Sequence, residues 1–311
     1  MPDLTIPLPV TRRFAAVLLA TLAVAACSSS SPSRSPSSLP PSQPPASDPP
    51  SAGPTVGAIE HKTGATDVLL RIEQGGGFVP MEFNASQAPG FTLYGNGIVV
   101  FQPALTTFPE PDANGVSRRP AWRTGTLDEG QVQELLEFAL TNGGLGTARA
   151  DYMAGGIADA PSTIFTIHAG GIDKTVVVSA LAEETQPGPD ALARKAFYAL
   201  ATRLQDFDQG GKVDSDVYQP DRFRGVILER EDQPGQVTVA WPWPGIKAAD
   251  FKPGANDGVG IGFPHRTLTA PDVAELKLDD IAGGIQGMVL KAPDGKLYTF
   301  ILRPLLVDEP E

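Results

Sequence analysis

Three glycine-bearing turns constrain this chain more than any other feature. "FTLYGNGIVVFQ" sets Asn96-Gly97 between apolar stretches, "TIFTIHAGGIDKTVVVSAL" turns at Gly170-Gly171, and "MVLKAPDGKLYTFIL" turns at Pro293-Asp294-Gly295. Asn-Gly is a strong hairpin signal because both central positions of a type I′ turn need positive φ. Pro-Asp-Gly is the pattern of a type I turn closed by a glycine in the left-handed region. Three such hairpins predict antiparallel sheet, and the alternation of apolar residues predicts further strands at 68–73, 225–229 and 237–241.

Helical patterns are interleaved with these hairpins. Thr126-Leu127-Asp128-Glu129 reads as a capping box, followed by Val132, Leu135, Leu136 and Ala139 on one face and stopped at Asn142-Gly143. Residues 190–207 carry Ala193, Ala196, Phe197, Leu200 and Leu204 at helical spacing, and a shorter helix is expected near Pro271, after Thr269. Strands joined by tight turns rather than by helical crossovers predict an α+β architecture, not a parallel α/β sheet. The polar stretch "DQGGKVDSDVYQPD" (208–221) marks a boundary. It divides the folded part into two lobes of one sheet or two subdomains, 56–212 and 213–311. With 41% hydrophobic and 19% charged residues, the chain has the means to bury a core.

The front of the chain has a different composition. Arg12 and Arg13 precede an apolar run, 14–26, shorter than the roughly 20 residues a spanning helix needs, so it reads as the core of a signal peptide. The run ends Val24-Ala25-Ala26-Cys27, which resembles a bacterial lipobox. That resemblance implies cleavage between Ala26 and Cys27 and a diacylglyceryl group on the Cys27 thiol. The other reading is an ordinary cleavable signal beside a chance cysteine. Two acyl chains anchor stably where one binds only marginally, since each buried methylene contributes about 0.8 kcal/mol. Thr11-Arg12-Arg13-Phe14 also faintly resembles a twin-arginine export signal, which leaves the export route open. Residues 28–55 are almost entirely Ser, Pro and Ala, the composition of an extended, solvated tether reaching up to roughly 85 Å. Cys27 is the only cysteine, so no intramolecular disulfide forms and stability must come from packing.

"FTLYGNG", "GGIADAPSTIFTIHAGG" and the closing "RPLLVDEPE" resemble segments of a group of uncharacterised bacterial lipoproteins. The resemblance spans most of the chain after Cys27. It implies a place outside the cytoplasm on the cell membrane or outer membrane, and a general architecture, but no reaction and no catalytic residues.

The chemistry-bearing residues are sparse. A formal charge of −12 argues against nucleic acid or an anionic membrane surface as partners. There is no G-x-S-x-G elbow, and only His61, His168 and His265 supply imidazoles. Ser162 lies near His168, but on a strand from Thr163 that histidine shares a face with Ile164 and Thr166, the setting of a structural residue. Metal ligands are scattered. The nearest to a calcium loop, "DFDQGGKVDSDV", places Asp206, Asp208, Gly211 and Asp214 suitably but has Gly210 and Val217 where ligands belong. "DGVGIGF", with Gly258, Gly260 and Gly262, lacks nucleotide-loop spacing, and no cofactor is implied. Two features suit ligand recognition. "SRRPAWRTG" gathers Arg118, Arg119, Trp122 and Arg123, a guanidinium and indole set suited to anions or carbohydrates, unless Trp122 simply packs the helix start. "VAWPWPG" sets Trp241 and Trp243 on one side of an extended segment, for stacking on a sugar or for packing. The expectation is a lipid-anchored extracytoplasmic protein acting as a non-catalytic interaction or accessory module, with a protein or cell-wall partner and the membrane reached through Cys27. A cell-wall or periplasmic hydrolase and a solute-binding lipoprotein are the rival expectations.

Overall fold

The computed structural model describes residues 57–310 apart from 106, 108, 155, 156, 158, 184–186, 211, 212 and 255–261. The signal segment, Ala26, Cys27, the whole of the tether, Gly211, Gly258 and Gly260 lie outside the described residues. Contacts group residues 54–311 as one compact unit.

In chain order its elements are β1 (Val68–Gly75), α1 (Met81–Ala85), β2 (Phe91–Tyr94), β3 (Ile98–Phe101), β4 (Ser117–Arg118), β5 (Arg123–Thr126) and α2 (Glu129–Leu140). Then come β6 (Asp151–Tyr152), β7 (Ser162–Ala169), β8 (Ile172–Ser179), α3 (Ala191–Gln205) and β9 (Asp216–Val217). The last group is β10 (Arg222–Arg230), β11 (Val239–Ala240), β12 (Lys252–Pro253), β13 (Pro264–Thr269), α4 (Ala270–Ala274), β14 (Ile285–Lys291) and β15 (Leu297–Pro304). The fold is α+β, with two mainly antiparallel sheets and few helices. One sheet runs β6-β8-β7-β1-β2-β3-β5-β9; the other runs β11-β14-β15-β10-β13-β12, with β4 added on β14. Among the described residues only the short pairs β6 with β8 and β11 with β14 are parallel. The first sheet is built mainly from strands before β9 and the second from β10 onward, and two pairs cross this order: β4 pairs with β14 and β9 with β5.

Each expected turn forms, but not each in the expected way. Gly170 and Gly171 both take positive φ and join β7 to β8 directly. In Pro293-Asp294-Gly295 only the glycine is left-handed, and its amide bonds to the carbonyl of Ala292, as a type I turn requires. At Asn96-Gly97, however, only Gly97 has positive φ, and its amide bonds to the carbonyl of Tyr94. The turn is therefore one residue longer than a type I′ pair, with Gly97 as the left-handed closing position.

The cap of α2 is also displaced from its expected place. Thr126 is still paired in β5, opposite Ile98, so Asp128 takes the extended N-cap conformation instead and exchanges bonds with Gln131. The buried stripe is the expected one: Val132, Leu135, Leu136 and Ala139. With Phe197, Leu200 and Leu204 of α3 they pack on Leu70, Ile72, Phe165 and Ile167, covering one face of the first sheet. Thr269 and Asp272 form the capping box of α4. The second sheet buries Phe223, Leu268, Phe300 and Leu302 on one face, beneath Trp243, Phe251 and Leu276. Between the two sheets lie two small apolar clusters, Tyr94, Val100, Trp122 and Leu306, and Ala85, Val226, Phe263 and Ile301. Among the described residues no helix is long and apolar enough to cross a membrane.

Candidate functional site

Strand parity assembles a polar cleft on the inner face of the second sheet. Arg224 of β10 stands opposite Arg303 of β15 and Thr267 of β13, while Lys252 of β12 stands opposite His265. Directly opposed residues share a face. All five side chains are therefore on the side facing β1 and α1, and Arg266, of opposite parity, points to the other face beside Gly225. The cleft has a volume of about 640 Å³ and is closed on its far side by Glu73, Ile164 and Asn84. Gly254 lets the His265 ring lie over β12, since a Cβ there would come 2.2 Å from Cε1. The ring's Nδ1 is 3.0 Å from the carbonyl of Phe263, which leaves Nε2 for another partner.

Opposed arginines repel unless a carboxylate sits between them, and residues 308–310 supply it. Glu309 makes a two-pronged pair with Arg303, at 2.6 and 3.0 Å, and accepts the Leu306 amide at 2.9 Å. Arg222 and Arg224 donate to the backbone carbonyls of Glu309 and Pro310. Asp308 takes two bonds from Arg71, at 2.7 and 2.8 Å, and one from the Tyr94 hydroxyl at 2.6 Å. The two neighbouring carboxyls, Glu73 and Glu309, are displaced in opposite directions. Burial raises Glu73, only partly offset by Arg71. Burial would raise Glu309 as well, but the Arg303 charge and hydrogen bonds and the Leu306 amide outweigh it and hold that carboxyl below its ordinary range. Among the buried polar atoms of cleft-lining residues that lack a hydrogen-bond partner are Asn84 Oδ1 and Thr267 Oγ1.

The residues expected to bind ligand do not converge on this cleft. Trp122 is 2% exposed and packs with Tyr218 between the sheets. Arg118 pairs with Asp112 at 2.7 Å, and Arg123 is bonded to Ser215. Trp243 is 4% exposed, its indole N–H donating to the Asp272 carbonyl, and Trp241 meets it edge-on while donating to Ile246. These two indoles serve the core of the second sheet. Of the three arginines, only Arg119 makes neither an ion pair nor a side-chain hydrogen bond among the described residues. His61 meets Glu129 and the Lys62 carbonyl, and His168 meets Asp173 from the half-exposed face of β7, so neither has a serine at hand. Asp206 accepts the Gly210 amide, a local turn. Among the described residues no three His, Cys, Asp or Glu side chains converge as metal ligands would.

Glu73, Lys252 and Arg303 were not singled out from the sequence, and His265 was named only as one of three imidazoles. The one legible signal was "RFRGVILER", where Arg222 and Arg224 recur at strand spacing in an otherwise apolar strand. Comparison with protein-family models, with curated proteins and with solved structures finds no match to this chain.

Proposed function

We propose that this is a lipid-anchored protein facing outside the cytoplasm, whose folded part is a non-catalytic binding module holding a polar, anion-bearing ligand in the cleft between its sheets. One observation carries the reading. In a chain with 36 acidic and 24 basic side chains, the cleft receives the side chains of Arg224, Lys252 and Arg303 against only Glu73 and Glu309. A cleft that reverses the sign of its protein concentrates ligands of the opposite charge. The unpartnered Asn84 and Thr267 atoms offer hydrogen bonds beside that charge. The Val24-Ala25-Ala26-Cys27 sequence supports the anchor, and the Ser/Pro tract after it supports a role at a distance from the bilayer.

Intact-mass measurement of the native membrane protein and of Cys27→Ala tests the anchor: a mature chain starting at Cys27 with a diacylglyceryl group, lost in the variant, is expected. Titration with citrate tests the cleft, with glucose as the neutral control. Citrate should raise the melting temperature in a salt-sensitive way, glucose should not, and Lys252→Gln should weaken citrate binding about tenfold, or about 1.4 kcal/mol. An unmoved melting temperature with citrate removes the reading.

Hydrolysis is the second reading, favoured by the opposite displacement of Glu73 and Glu309, a split that acid–base pairs exploit. Against it, both oxygens of Glu309 are spent on Arg303 and Leu306. Turnover of a wall glycan, abolished by Glu73→Gln, would put hydrolysis ahead.

A further inference from the structure

We infer that a second cavity, behind α1, is a separate binding site that takes a small organic anion through Arg119. It has a volume of about 360 Å³ and shares Glu73, Gln74, Gln87 and Ala88 with the cleft as a common wall. Both volumes lie in the range of small-molecule sites, roughly 300–1,000 Å³. The inference does not depend on the cleft's own ligand, because the two sites use different cations.

Arg119 follows directly on β4, and its amide donates to the carbonyl of Gly284 at 3.0 Å, which fixes its backbone to the second sheet. Its guanidinium carbon lies 5.4 Å from the centre of the Phe83 ring. The opposite wall is held by the Gln102 amide, which donates to the carbonyls of Ala88 and Pro89. The geometry is therefore fixed on both sides before any ligand arrives.

Arg71, Arg118, Arg149, Arg203 and Arg303 each meet a carboxylate. Arg123, Arg194 and Arg230 have no carboxylate partner among the described residues but are bonded to hydroxyl or carbonyl oxygens. The Arg119 guanidinium has neither kind of partner among the described residues, although burial strips its water strongly enough to lower its pKa. Contact with a phenyl face contributes about 0.5–1 kcal/mol at exposed sites and up to ~2 when desolvated, which offsets only part of the cost of partly burying a charge. A planar fork of donors left unpaired in a cavity is matched by a carboxylate or a phosphate, which it binds through two parallel bonds.

The rest of the lining says what the anion is attached to. Pro103, Ala104 and Leu105 present apolar surface, and Leu105 is 42% exposed at the edge. Gln87 and Gln205 add amide groups. Along β1 the alternation that turns Ile72 inward turns Glu73 to the other face, toward Arg71 and the cleft, so its carboxyl does not confront an anion here. The class is a compact apolar body with one carboxylate or phosphate.

The test titrates the purified full chain in detergent with benzoate and with phenyl phosphate, following heat and, separately, melting temperature. Saturable binding of either probe is expected, weakened at least tenfold in Arg119→Gln and partly retained in Arg119→Lys, which keeps the charge but not the fork. Lys195→Gln, a charge removed from the exposed side of α3, should bind as the wild type does. The better probe identifies the anion as carboxylate or phosphate. Without probe, Arg119→Gln should melt at or above the wild-type temperature, because a part-buried charge without an ionic partner is gone. No saturable binding of either probe, equal binding by Arg119→Gln, or a marked fall in its probe-free melting temperature would each overturn the inference, the last by showing that Arg119 is structural.

Discussion

Glu309 shows how one side chain couples the cleft to stability. Its carboxylate is largely buried, at 12% exposure, against an Arg303 that is 7% exposed. Its folded-state pKa lies below the ordinary carboxyl value, so the unfolded chain holds the proton more tightly. The stabilisation is complete above the ordinary value and drains away as pH falls through the folded-state value. Glu309→Gln should therefore lower stability by about 2 kcal/mol at neutral pH, because Arg303 loses its counter-charge in a buried place. The deficit should shrink in acid, where the wild type also becomes neutral. Urea unfolding of both proteins from pH 7 to pH 3 checks this, and a constant difference across the range would contradict it. No sequence pattern announces the pairing, because Arg303 and Glu309 are brought together only when the chain beyond β15 folds back over its own strand.

Elements were the most legible scale, where a local rule was enough. The stripe of α2, the box of α4 and two of the three turns follow from spacing and from the φ that glycine permits. The errors came where neighbours competed. Thr126 is a good cap residue, but Ile98 claims it for β5, and the helix starts at the next acceptor, Asp128. Gly97 has a second constraint beyond its φ of 81°: a Cβ would stand 2.4 Å from the carbonyl oxygen of Leu127, whose amide bonds to the Gly97 carbonyl. Gly97→Ala should accordingly destabilise by about 2 kcal/mol or more, combining left-handed strain with a backbone clash. Chemical denaturation measures it; a loss under about 0.5 kcal/mol, the scale of a neutral surface change, would show that the turn simply rearranges.

At the scale of the whole molecule, the two sheets are bound by exchange of strands and by residues between them. β4 and β9 each pair into the sheet built mainly from the other stretch of chain, and Trp122 and Leu306, far apart in sequence, pack together. Unfolding should therefore be a single transition in which far-ultraviolet and near-ultraviolet dichroism coincide. Two resolved transitions would mean that 57–212 and 213–310 are independent. Neither cavity could be read in advance, since the cleft draws on β1, α1, β10, β12, β13 and β15, and Arg119 differs from Arg118 only in which side chains surround it. The helix stripes, the hairpins, the α+β class and the unusual composition before residue 56 are legible in the amino-acid order alone, because each depends on chemistry within a few neighbours. Which arginines are neutralised, which indoles are buried and where charge is left facing a cavity was decided by the tertiary structure. Those properties depend on distances between residues up to about 240 positions apart, such as Arg71 and Asp308, and desolvation has no value until the surrounding atoms are in place.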